Sequence, residues 1–178
     1  MMEFVYAYAY FVLYAFLGWV CEDLYCGIPA KKFINRGFFY GPYCPIYGVG
    51  ALLVLYPLLF VKDYPILVFV LGVIITSTLE YITSWVMEIL FKTRWWDYSE
   101  RFMNINGRVC LLNSTLFGIM SIVVVYIIHP VIQDIVMDIP FTALMSFLSA
   151  FTIGFGIDCV FTVLALLRRK QVFQKVQV

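Results

Sequence analysis

Five stretches of this chain are apolar over about the length a helix needs to cross a bilayer, roughly 20 residues. They fall at about Phe4–Cys21, Ile46–Val61, Ile66–Leu90, Val109–Ile128 and Thr142–Leu167. In lipid every backbone N–H and C=O must be satisfied within the protein, so runs of this kind are expected to be helices. The second is short, whereas the third and fifth are long enough to tilt or to emerge from the membrane. Composition agrees: 63% of residues are hydrophobic and 13% charged, and mean hydropathy is +0.93, against an apolar share of about half in soluble proteins. The expectation is an all-α membrane protein with five transmembrane helices. They form one transmembrane domain over residues 1–170, with a cytoplasmic tail at 171–178. The first run lacks a basic leader and a small-residue cleavage site and carries Glu3 and Glu22, so it reads as a span and not a signal peptide. The lipid bilayer is the expected partner, and a net charge of +1 gives no reason to expect nucleic acid.

The cationic residues set an orientation. Lys31, Lys32 and Arg36 follow the first span, Lys92, Arg94, Arg101 and Arg108 follow the third, and Arg168, Arg169, Lys170 and Lys175 follow the fifth. The alternate side holds only Lys62. Positive charge collects on the cytoplasmic side, which predicts an outside amino terminus and an inside carboxyl terminus in the inner membrane of a bacterium.

Two stretches repeat one another. Gly18-Trp19-Val20-Cys21-Glu22 closes the first span and Ser84-Trp85-Val86-Met87-Glu88 closes the third. Each leads into a basic, aromatic connection, with Ile34-Asn35-Arg36-Gly37 in one and Ile105-Asn106-Gly107-Arg108 in the other. The spacing predicts two parallel helix–connection–helix repeats, residues 4–61 and 66–128, with the fifth helix at 142–167 outside them. Gly156-Ile157-Asp158 is a weak echo of Val20-Cys21-Glu22. The first connection, FINRGFFYGPYCPIYG, is too rich in Gly and Pro for regular helix and too aromatic for a solvated loop. It is expected to fold back toward or re-enter the membrane under cover of protein. Trp95, Trp96 and Tyr98 in the second connection suit the headgroup level.

Acids in a bilayer are costly and rarely idle. On the third span Ser77, Glu80, Ser84 and Glu88 fall within about 80° of arc at helical spacing, a polar stripe that lines either a solute path or a hydrogen-bonded seam. Glu22 and Glu88 each follow a Trp by three residues and need a donor, for which Arg36 and Arg108 are the evident candidates, as clamp or as substrate contact. Asp158 lies within the fifth span and pairs with the third span or lines the same cavity. Asp97 is expected near the surface, as a helix cap or a site residue. Asn35, Asn104, Asn106 and Asn113 suit bare backbone groups in broken segments. His129 is the single histidine and reads as an interface residue at the outer end of the fourth span.

That distant histidine leaves no Ser–His–Asp or Cys–His centre beside the acids and no usual zinc site. The five cysteines lack metal-ligand spacing and read as small buried hydrophobes, with Cys44 singled out because Pro42-Tyr43-Cys44-Pro45 is not ordinary helix. No P-loop sequence is present. Carboxylate, amide, guanidinium and phenol chemistry remain.

With FINRGFFYGPYCPIYG and RWWDYSERFMNINGRVCL the chain resembles a bacterial membrane family described as Putative ABC-transporter type IV. The likeness runs from about Phe4 to Ile128 and rests on Glu22, Asn35-Arg36-Gly37, Gly41-Pro42, Pro45, Tyr47-Gly48, Glu80, Glu88, Trp95-Trp96-Asp97-Tyr98, Asn106-Gly107-Arg108 and Ser114. It implies a permease worked by a separate ATPase. Two functions from different classes follow. In the first the chain is a small permease or transporter subunit, expected as a homo-oligomer, with Glu22, Asn35, Arg36, Glu80, Ser84, Glu88, Asp97, Asn106, Arg108 and Asp158 lining a cytoplasm-facing cavity and no resident cofactor. In the second it is an intramembrane enzyme acting on a lipid-linked or phosphate-bearing substrate, with Glu22, Asn35, Glu88 and Asp97 holding Mg²⁺ and Arg36 and Arg108 binding phosphate.

Overall fold

The computed structural model describes residues 2–31 and 38–176. Its elements are α1 (Met2–Ala30), α2 (Pro45–Leu58), α3 (Pro65–Phe91), β1 (Asn104–Ile105), β2 (Val109–Cys110), α4 (Leu111–Val123), α5 (His129–Asp138) and α6 (Phe141–Val176). Four helical stretches are long and apolar enough to cross a membrane, at Met2–Leu24, Pro65–Phe91, Leu111–Asp138 and Phe141–Leu167; Pro45–Val61 is shorter. The all-α membrane architecture is as expected, with different ends. The stretch that begins at Leu111 runs ten residues beyond Ile128, through α5. Helix α6 continues to Val176, into the segment read from sequence as the cytoplasmic tail.

Local chemistry explains the boundaries. Pro65 opens α3, where a missing N–H is harmless. Lys92 closes it in the left-handed region (φ 56°), donating its N–H to Glu88 O at 2.8 Å. Pro57 withholds a donor inside α2, and the chain tightens into a 3₁₀ turn at Leu59–Val61. Between α4 and α5 the helix widens to a π turn over Val124–Ile128, with the N–H of His129 reaching Val124 O. Pro130 follows at once and brings no N–H of its own.

The chain divides into two compact units, Met1–Gly48 with Ile139–Val178, and Val49–Asp138. In the first, Tyr8 of α1 meets α6 through a 2.8 Å hydrogen bond to Thr152. The described part of the connection before α2 seats an aromatic cluster on α6. Phe39 lies 5.2 Å from Phe155, and Tyr43 lies 5.6 and 5.3 Å from Phe151 and Phe155, ring centre to ring centre. The first turn of α2 crosses α1 closely: a Cβ on Gly18 would stand 2.2 Å from the Tyr47 ring, and one on Gly48 2.6 Å from Phe11 O.

In the second unit α3 and α4 run antiparallel at close range. A Cβ on Gly72 would lie 2.6 Å from Ser121 Cβ, and one on Gly118 2.5 Å from Val73. Ser77 and Ser114 share a 2.7 Å hydrogen bond one to two turns further along. Small residues at a helix contact let the backbones approach, the usual way lipid-embedded helices pack. The two short strands pair in register, Asn104 with Cys110 and Ile105 with Val109. Their turn is Ile105-Asn106-Gly107-Arg108, with positive φ at Asn106 (53°) and Gly107 (69°) and a 3.0 Å bond from Arg108 N to Ile105 O. That is the hairpin turn an Asn-Gly pair favours.

Candidate functional site

In the second unit each residue of the polar stripe of α3 has a partner on the returning connection or α4, although Glu80 Oε2 itself accepts no hydrogen bond. The β-hairpin delivers Arg108, 8% exposed, against α3. Its guanidinium donates to Ser84 Oγ at 3.1 Å and to Glu88 Oε2 at 2.5 Å, and lies 5.7 Å from the centre of the Tyr81 ring. Arg94 holds the other Glu88 oxygen at 3.1 Å. One turn deeper, Tyr98 donates to Glu80 Oε1 at 3.2 Å and accepts from Asn113 at 2.6 Å. Asn106 donates to the Tyr81 hydroxyl at 2.9 Å. Glu80, Ser84, Glu88, Asn106 and Arg108 thus share one cluster.

Asp97 stands at its rim, 4.0 Å from Arg94. It caps a tight turn and not a helix, accepting from the N–H and hydroxyl of Ser99 at 2.9 and 2.5 Å. Those donors hold its carboxyl below the usual aspartate range, with Arg94 contributing less. Asn104 satisfies bare backbone as expected, donating to Ser99 O and Arg101 O and accepting from Gly107 N. Trp96 is anchored by its indole N–H on Arg108 O at 2.9 Å.

In the first unit Glu22 accepts from the Tyr47 hydroxyl at 2.7 Å. Asn35 and Arg36 lie outside the described residues. Asp158 of α6 serves the folded-back connection: it accepts from Tyr40 N (3.2 Å), Gly41 N (2.8 Å), the Tyr43 hydroxyl and, one turn on, Thr162 (2.9 Å). These partners are on the first connection and on α6 itself, and not on the third span. Burial, with the Asp158 hydrogen bond, pushes the Tyr43 phenol up. A shallow cavity of about 510 Å³ lies beside this clamp, lined by Tyr40, Gly154, Asp158 and Phe161 among others. Cys44 is buried with its N–H on Ala15 O at 2.9 Å. Burial, with smaller contributions from Glu22 and Asp23, pushes its thiol up to about 11.

Three residues depart from the sequence reading, and the first is Cys21, read as buried and found exposed. His129 is 6% exposed and sits inside continuous helix, where a headgroup-level residue was expected. Asp23, overshadowed by Glu22 in sequence, is 8% exposed, and neither carboxylate oxygen has a hydrogen-bond partner. Its signal was the small-residue face of α1. Ala9, Val12 and Ala15 are buried there, and helical spacing puts Asp23 within about 20° of Val12. Among the described residues no group of three or more His, Cys, Asp and Glu side chains is arranged to hold a metal ion.

Long apolar helices carrying engaged acids, tied by connections that fold back onto them, define a multi-pass α-helical membrane protein. The chain belongs to the family described as Putative ABC-transporter type IV, whose profile matches residues 9–163. That match extends through most of α6, where the resemblance of the motifs alone fades. No curated protein and no solved structure matches the chain.

Proposed function

We propose that this protein is a small permease or transporter subunit of a bacterial cytoplasmic membrane, worked by a separate ATPase and acting as a homo-oligomer or with a partner. Its amino terminus lies outside and its carboxyl terminus in the cytoplasm, a reading supported by the bias of Lys and Arg to alternate connections. Each unit brings acids to this role, Glu22 and Asp158 in the first and Glu80 and Glu88 in the second. The observation that carries this reading is the retention of acids on apolar helices of a chain belonging to a transporter family: Asp23 and Glu80 are 8% and 6% exposed. The second unit supplies the rigid part of the device, because Arg108 and Arg94 hold Glu88 from both sides.

The test is flux. The protein in lipid vesicles, alone and with the products of its neighbouring genes, is expected to move a small solute or protons, and Glu88→Gln is expected to reduce that movement. Vesicles that move neither, in any combination, overturn the reading. The intramembrane enzyme draws less support from the geometry. Both oxygens of Glu88 are engaged by guanidinium groups and Oδ1 of Asp97 by Ser99, so the printed partners of these acids are the connection's own donors.

A further inference from the structure

The carboxylate of Asp158 stands on an apolar span, and its hydrogen-bond partners are all neutral. Oδ1 accepts from Tyr40 N and Thr162, and Oδ2 from Gly41 N and the Tyr43 hydroxyl. No ion pair among the described residues includes it. An acid kept in a bilayer without a countercharge is costly. The cavity beside it holds about 510 Å³, within the range of small-molecule sites, about 300–1,000 Å³. Its other walls include Tyr40, Gly154, Ile157, Phe161 and Leu164, aromatic or apolar, and all belong to the first unit. Gly154 keeps the space open: a Cβ there would meet no atom within 4 Å.

The chemistry of these walls selects a ligand. The carboxylate repels an anion. A metal ion needs several bare oxygens, and the roughly four lone-pair positions of this carboxylate already take four donors. A primary ammonium would give up its hydrogen bonds to water and find no open acceptor on Asp158. A cation without N–H groups loses no such bond. It gains from the carboxylate's charge in a low-dielectric setting and from the rings of Tyr40 and Phe161, while its apolar substituents lie against Ile157 and Leu164. We propose that this cavity binds an amphipathic monocation without N–H groups, a quaternary ammonium or phosphonium carrying aryl or alkyl substituents, with Asp158 as its countercharge. Movement of that cation across the membrane rests on the transporter reading; its binding beside Asp158 does not.

The experiment uses the full chain in an uncharged detergent and two probes of one shape and opposite charge, tetraphenylphosphonium and tetraphenylborate. Binding is read by equilibrium dialysis against protein-free micelles. Saturable binding is expected for the cation and not for the anion. Asp158→Asn keeps the size of the side chain and removes its charge, and should weaken binding about tenfold or more. That change also loosens the clamp, so Gly154→Leu is the second arm. Its side chain grows into the open space, and binding should be lost while amide exchange at Tyr40 and Gly41 and the melting temperature hold. Equal uptake of the two ions would mean an apolar face that lipid covers. Undiminished binding in Gly154→Leu would put the cation elsewhere. Either result overturns the proposal, as does an absence of saturable binding. Vesicles that move no cation, while the chain in detergent binds it, sink the transporter reading and leave the site standing.

Discussion

Arg108 reaches back from a β-hairpin turn to hold Glu88, twenty residues earlier in the chain, at 2.5 Å. The same guanidinium takes Ser84, so one side chain fastens the connection to two successive turns of α3. Lys has no fork with which to hold both. Arg108→Lys and Arg108→Ala are therefore expected to lower the melting temperature in detergent, Ala more than Lys. Glu88→Ala should be milder, because Glu88 is more exposed and Arg108 keeps Ser84. A double-mutant cycle between the two is expected to show favourable coupling; additive effects would show that the clamp does not hold.

Close approach of α3 and α4 makes Gly72 intolerant of any side chain. Its added Cβ would meet Ser121 Cβ and Oγ, both at 2.6 Å. Ser121 Cβ is tied directly to the α4 backbone, so the helices must part. Gly72→Ala is expected to destabilise the protein by about 1–3 kcal/mol, read as a lower unfolding midpoint in detergent or urea. Ser121→Gly, combined with it, should recover part of the loss.

Asp158 is the fastening of the first connection. In Asp158→Asn one acceptor oxygen becomes an amide, while Tyr40 N, Gly41 N and the Tyr43 hydroxyl still present donors. Hydrogen exchange at Tyr40 and Gly41 is expected to quicken about tenfold or more, as loss of hydrogen bonds to a charged group implies. Exchange in the β-hairpin turn at Asn106 and Gly107, which carries its own bonds, should not change.

Cys44 gives a pH signature. Its thiol is raised from an ordinary value of 9.0 to about 11, mainly by burial. A folded-state value above the unfolded one means a stability contribution that is whole below about pH 9 and is lost as pH rises toward 11, because the unfolded chain gives up this proton first. Alkylation of Cys44 is expected to be slow at neutral pH and to rise about tenfold per pH unit until that range. Fast alkylation at neutral pH would contradict the burial.

Much of this architecture was legible in sequence because the bilayer permits so little else. Hydropathy located the helical rods, and period placed Ser77, Glu80, Ser84 and Glu88 on one stripe of α3. The partners of that stripe were harder to see, since they arrive from residues 94–114 through a hairpin. Asn106-Gly107 was its written signal, noted for an amide and a glycine but not for the turn they make. Helix α5 was missed because Pro130 stands where a helix was expected to stop, and a π turn let it continue. Asp23 was passed over because its neighbour matched a repeat; burial depends on which face of α1 is covered, and the match of Glu22 to Glu88 carried no information about that.

The wide turn at Val124–Ile128 winds an extra residue into one revolution. The rows of side chains on α4 and on α5 are thereby set out of phase, as threads are on two bolts welded end to end. A pattern traced along α4 does not extrapolate into α5, so the side of the rod that Gly118 and Ser121 give to α3 leaves open which side His129, Ile132 and Val136 bury.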